Sequence, residues 1–267
     1  MSRPVSDALN VVVTGGNRGV GRAVAAEAAR RGHRVTIVAR RPAEGAAAAR
    51  ETGAEFVPGD LSTLSTTRAA AAGIAEAVPV VDVLVHNAAL WPSRRVLNED
   101  GFEQAFFTNH LAPFLLNHLL EERLRRVVQV SAGLYVMGRV DPDRTPTGDD
   151  FSPTKTYANT KLANLLMVPL FAERWKEAGI TIDAVHPGVL RTGLGERNGF
   201  QGLLLRTVKR TLKSPEAGAK PVVDLLTSEG TGRYYNGLKQ RPLKPVARNT
   251  SLAERLWTDA QKAVNTP

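Results

Sequence analysis

Short, continuously apolar runs rich in β-branched residues recur along this chain, and that recurrence constrains the fold more than any other feature. They are NVVVT (10–14), RVTIVA (34–39), AEFVPG (54–59), VVDVLVH (80–86), RVVQVS (126–131) and ITIDAVH (180–186). Apolar residues at nearly every position, not every second one, read as strands buried on both faces. Helical patterns lie between them. GVGRAVAAEAARRG stops at Gly32, and TLSTTRAAAAGIAEAV follows Ser62, read as its cap. GFEQAFFTNHLAPFLLNHLLEERL is long and broken near Pro113, and TYANTKLANLLMVPLFAERWKEAG ends at Gly179. Such alternation predicts an α/β fold, a parallel sheet with helices on both faces. Ligands bind such sheets beyond the carboxyl ends of their strands.

The totals narrow the classes. With 267 residues the chain suits one α/β domain. It has no cysteine, which excludes a disulfide framework and a thiolate zinc site. No apolar run reaches the roughly 18 residues of a membrane span. The first residues, MSRPVSDALN, lack the apolar core of a signal peptide, so a cytoplasmic location is expected. The formal charge is +9, but the basic residues are scattered, which argues for a solvated surface and an anionic small ligand over nucleic acid. The least regular stretch, 136–153, reads as a surface excursion. AEGAAAARE is Ala-rich, and no repeat is visible.

TGGNRGVG follows the first strand and opens the first helix. Gly15 allows a tight turn, Gly19 lets backbone approach a pyrophosphate, and Gly21 permits close helix packing. Around them Asn17, Arg18 and Val20 complete a loop whose amides face an anion at a helix N-terminus. The spacing resembles the Thr-Gly-x-x-x-Gly-x-Gly fingerprint of the short-chain dehydrogenase/reductase family. That resemblance implies a Rossmann-type doubly wound parallel sheet of about seven strands, in a single domain over residues 1–267.

The end of the second strand bears on the cofactor. A carboxylate there would hold ribose hydroxyls and repel a 2′-phosphate. This chain has Arg40 and Arg41 instead, with Arg18 nearby, and guanidinium groups suit phosphate. NADP(H) is therefore expected in preference to NAD(H). By resemblance, Asp60 and Leu61 of GDLS flank the adenine. HNAAL matches the family's Asn-Asn-Ala-Gly at Asn87 and Ala88 and departs from it at His86 and Ala89. Ala89 adds a methyl beside the cofactor, and His86 is read as structural.

YANTK places Tyr157 and Lys161 at i and i+4, on one helical face. A phenol is a poor acid–base group at neutral pH, and an ammonium nearby is expected to lower its pKa. The pair matches the family's catalytic Tyr-x-x-x-Lys. Asn109 matches the family's helix asparagine, which holds a water in a relay through the lysine. HPGVLRT resembles Pro-Gly-x-x-x-Thr, so Pro187 and Gly188 shape a turn while Val189 and Thr192 hold the nicotinamide amide. His186 is read as structural.

TNHLAPFLLNHLL, YANTKLANLL, HPGVLRTGL, KSPEAGAK and SLAERLWTDAQKAV resemble the retinol-dehydrogenase-like branch, over about residues 10–264. The branch implies reduction of apolar aldehydes or ketones with NADPH. Its members often carry an N-terminal membrane anchor, and none is read here. Residues 193–214 are expected to form a substrate lid with Leu203, Leu204, Leu205, Val208 and Leu212 on its underside. An extended apolar, polycyclic or polyketide-like ketone is the expected substrate. Family members often pair through their long fourth and fifth helices, where Pro169 is expected to kink this chain, so homodimer and monomer both stay open.

One departure touches the chemistry. The family usually reads Asn-x-Ser-Ser at the end of the fifth strand, the second serine holding the carbonyl. Here Gln129 takes the asparagine place, Ser131 the first serine and Ala132 the second. Ser131 through a local twist, Tyr135, or a hydroxyl on the substrate is expected to compensate. The alternative is a non-catalytic NADP(H)-binding or sensor protein on the same fold.

Overall fold

The computed structural model describes residues 8–189 and 214–265. In chain order the elements begin β1 (Asn10–Thr14), α1 (Gly19–Arg30), β2 (Arg34–Ala39), α2 (Pro42–Thr52), β3 (Glu55–Pro58), α3 (Leu64–Ala77) and β4 (Val83–His86). Then come α4 (Gln104–Phe106), a π-helical segment (Phe107–Leu111), α5 (Ala112–Leu119), β5 (Arg126–Val130), α6 (Pro153–Arg174) and β6 (Thr181–His186). After the segment outside the described residues follow α7 (Pro215–Val223), β7 (Tyr234–Asn236), β8 (Lys239–Arg241) and α8 (Thr250–Asn265).

The sheet has eight strands in the order β3-β2-β1-β4-β5-β6-β7-β8, one more than the expected seven. All pair in parallel except the β7–β8 hairpin. The order reverses between β1 and β4, where a doubly wound sheet opens its crevice.

Continuous apolar strands fill two cores. Val12, Leu84 and Val127 point into one, shared with α3, α5, α6 and α8. Their neighbours Val11, Val13, Val85 and Val128 point into the other, shared with α1, α2 and α7. Alternation with both faces apolar is what a sheet covered on both sides requires.

Local expectations needed adjusting. The cap of α3 is Thr63, not Ser62; its hydroxyl and that of Thr66 each accept from the other's backbone N–H, a reciprocal capping box. The Ala-rich tract is helix α2, with Pro42 in its first turn. Helix α6 ends at Arg174, short of Gly179, and runs through Pro169, whose ring sits on the exposed side. The predicted break near Pro113 is the π-helical segment just before it. Pro113 has no N–H for the carbonyl of Asn109 four residues back. Asn164 Nδ2 donates to that carbonyl instead, at 2.7 Å. Among the described residues no helix is long and apolar enough to cross a membrane.

Candidate active site

The phosphate loop is assembled by backbone. Gly15 and Gly19 take positive φ, +63° and +54°, conformations that favour glycine. A Cβ on Gly21 would stand 2.4 Å from both Asn87 Nδ2 and the Gly15 carbonyl. Asn87 is the brace: its Nδ2 donates to the carbonyls of Thr14 (3.0 Å) and Gly15 (3.1 Å). Thr14 Oγ1 accepts from the backbone of Asn87 and Ala88 and donates to the Val85 carbonyl. This one hydroxyl ties β1 to β4 at the reversal point.

Helix α1 starts without a side-chain cap, because Arg18 occupies that position and makes no capping bond. Its first amides are thus left to an anion, and the helix dipole favours one. Arg18 and Arg40 are exposed, and neither has an ion-pair partner among the described residues. Arg41 is committed to Glu44 (2.6 Å), whose other oxygen accepts from Asn17 Nδ2 (3.3 Å). The Arg41 hydrogen bond holds the Glu44 carboxyl below its usual range. Asp60 Oδ1 accepts from Ser62 N, closing a turn after β3, and Leu61 is buried in the core. An uncapped helix start and backbone bare at Gly15 and Gly19 fit the pyrophosphate of a nicotinamide dinucleotide.

The catalytic candidates lie on α6, in the π-helical segment and just after β5. Tyr157 and Lys161 are both buried, and Lys161 Nζ lies 5.5 Å from the centroid of the Tyr157 ring. Lys161 donates to the Val130 carbonyl at 3.3 Å, and burial pulls its ammonium down to about 8. The expected lowering of the phenol is not what the protein alone produces. Burial pushes the Tyr157 phenol above its ordinary value and keeps it protonated.

Asn109 acts as a clamp. Its Oδ1 accepts from Leu90 N (2.7 Å) and its Nδ2 donates to the Leu90 carbonyl (2.8 Å). Nδ2 also reaches Thr160 Oγ1 (3.1 Å), and that hydroxyl donates to the Tyr157 carbonyl (2.8 Å). Sequence reasoning missed the residue this clamp holds in place. Trp91, next to Leu90, stacks on Tyr157 with ring centroids 4.5 Å apart and planes 8° from parallel. A lone tryptophan in a loop carries no periodic signal that would have exposed it.

The compensating hydroxyls fare differently from expectation. Tyr135 is buried against Tyr234 and its oxygen accepts from Lys244 N (3.2 Å), which fixes the phenol there and leaves its own proton uncommitted among the described residues. Ser131 Oγ is buried without a hydrogen-bond partner. Ser131 N still bonds the Val185 carbonyl, and Ala132 is extended (φ −142°, ψ 147°). Successive extended residues point to opposite sides of a strand.

The two strand-end histidines have structural surroundings. His86 Nε2 lies 2.8 Å from Asn117 Oδ1, and burial brings its pKa down to about 4, so the ring is neutral. The His186 ring lies beside Gly133. After β6, Pro187 is buried, Gly188 has φ +105° and Val189 is exposed. Thr192 and nearly all of the predicted lid lie outside the described residues.

Comparison with known proteins agrees with this geometry. The profile of the short chain dehydrogenase family matches residues 9–200. Retinol dehydrogenase 13 of Homo sapiens is 33% identical over 95% of this chain and 84% of its own length. The solved structure of an uncharacterized protein from Mycobacterium paratuberculosis superposes with a TM-score of 0.79 at 30% identity, covering 97% of this chain and 94% of that one. A Burkholderia cenocepacia short chain dehydrogenase, solved in complex with NADP, shares the fold at TM-score 0.69 and 23% identity, over 85% and 95% of the two chains. The chain belongs to the short-chain dehydrogenase family of oxidoreductases, in its retinol-dehydrogenase-like branch.

Proposed function

We propose that this protein reduces the ketone or aldehyde of an apolar, polycyclic or polyketide-like molecule with NADPH, or oxidises the corresponding alcohol in reverse. The observation that carries the reading is the buried Tyr157–Lys161 pair beside a cradle fitted to a dinucleotide. NADPH, when bound, supplies the hydride to the carbonyl carbon. Arg18 and Arg40 would hold its 2′-phosphate, and the first amides of α1 its pyrophosphate.

The remaining work belongs to side chains. Tyr157, held protonated by burial, donates its proton to the carbonyl oxygen as the hydride arrives. Lys161, the ammonium beside it, stabilises the phenolate left behind and helps return a proton. Val136, Met137 and Val189 are exposed apolar residues after β5 and β6, which supports an apolar substrate.

The test mixes the protein with NADPH and a panel of apolar ketones and aldehydes and follows loss of NADPH absorbance. Turnover abolished by Tyr157→Phe is expected. Tight NADPH binding with no turnover on any substrate would turn the reading to the non-catalytic alternative. Arg40→Ala is expected to raise KM for NADPH about tenfold, the size of one lost charge-assisted hydrogen bond, and to leave KM for NADH unchanged.

A further inference from the structure

Position 132 lacks the hydroxyl that would hold a substrate oxygen. Asn109 spends both amide hydrogens on Leu90 and Thr160, and the Tyr135 oxygen, packed against Tyr234, accepts from Lys244 N. A donor lies on the ring stacked against Tyr157. Trp91 Nε1–H is buried and has no partner among the described residues. Buried polar groups are almost always paired, so an orphan on a ring stacked against the proton donor marks a place for an acceptor. Its position is also determined. Both backbone groups of Leu90 are clamped by Asn109, and Asn109 is tied through Thr160 to the backbone of Tyr157. The loop carrying the indole and the helix carrying the phenol are therefore braced by one hydrogen-bonded chain.

We propose that Trp91 Nε1–H is the donor that holds the substrate's carbonyl oxygen beside the Tyr157 hydroxyl, in place of the hydroxyl absent at Ala132. A carbonyl oxygen has two lone pairs. It accepts the indole N–H on one and the phenol proton on the other. The stacked indole thereby makes a serine at 132 unnecessary and restricts the site to carbonyls that can slide against an aromatic wall. This inference rests on the reductase reading.

The experiment measures NADPH-dependent reduction by wild type, Trp91→Phe, Trp91→His, Ala132→Ser and the Trp91→Phe/Ala132→Ser double variant. Trp91→Phe keeps a ring and removes the N–H; its kcat/KM is expected to fall about 10²-fold, as for loss of one oxyanion donor. NADPH affinity and Tm stay as in wild type. Trp91→His, which keeps a ring N–H, falls between the two. Ala132→Ser is expected to gain less than about threefold in wild type but to recover most of the loss in the Trp91→Phe background, the signature of two donors serving one oxygen. Trp91→Phe within about twofold of wild type, or an equal gain from Ala132→Ser in both backgrounds, overturns the proposal while leaving the reductase reading intact. Wild type that binds NADPH and turns over nothing overturns both.

Discussion

The two sides of the crevice are constrained in different ways. On the β1–β4 side the cofactor cradle is made of backbone, and its limits are steric. A single Cβ at Gly21 would collide with Asn87 Nδ2 and the Gly15 carbonyl at 2.4 Å, so the motif there tolerates little. On the β5–α6 side the limits are chemical. A methyl at Ala132 fits an extended strand end without strain, and what it removes is one hydrogen-bond donor. The glycine loop therefore keeps the fingerprint's spacing, while Ala132 stands where the resemblance expects a serine. A steric requirement must be met by the same residue, whereas a donor can come from anywhere that reaches the same oxygen.

The largest expected effect sharpens the chemical side. Tyr157→Phe should lower kcat by about 10²–10⁴-fold with NADPH affinity retained, read by steady-state kinetics and cofactor titration. Loss of cofactor binding instead would mean that the phenol belongs to the cradle and would break the division.

Asn87→Ala tests the steric side. It removes the hydrogen bonds to Thr14 and Gly15, each worth about 1 kcal/mol net, so NADPH Kd should rise by about tenfold or more. An unchanged Kd would show the loop to be self-supporting.

Acid–base behaviour separates the halves next. Lys161 is pulled from the ordinary lysine value down to about 8 by burial, so its ammonium is present below that pH and lost above it. Reduction needs the charged form to stabilise the phenolate and resupply its proton. Its kcat should thus fall by about tenfold per unit once pH rises past 8, while NADPH Kd follows no such limb. A flat kcat profile to pH 10 would remove Lys161 from the relay.

The smallest expected effect concerns the brace between Trp91 and Tyr157. Thr160→Val cuts the link from Asn109 to the Tyr157 carbonyl and should lower kcat about fivefold with stability and cofactor affinity little changed, the scale of one hydrogen bond.

Much of this arrangement was legible beforehand, for identifiable reasons. The central strands announce themselves because both faces are buried, as at Val11, Val12 and Val13. By contrast β7 is only Tyr234–Asn236, and β8 is Lys239–Arg241, exposed throughout, so neither carries an apolar run. Helix α2 hid in its composition: alanine fills its inner face, and Gly45 lies against the Phe56 ring with no room for a side chain. The upward direction of the phenol's shift follows from its burial, which a lysine one helical turn away in the sequence does not reveal.

The sequence by itself determined the doubly wound sheet, the glycine loop and the Tyr157–Lys161 pair. All three are local signals: periodicity along a strand, a motif of eight residues, a spacing of one helical turn. Only the tertiary structure decided which polar groups remain available for chemistry. Whether a hydroxyl or N–H is available depends on partners distant in the chain. The Tyr135 oxygen accepts from Lys244, 109 residues away, Asn109 is claimed by Leu90 and Thr160, and Trp91 stacks on Tyr157 with its N–H unclaimed among the described residues. Hydrogen bonds saturate, so the reactive inventory of a site is what remains after the fold has taken its share.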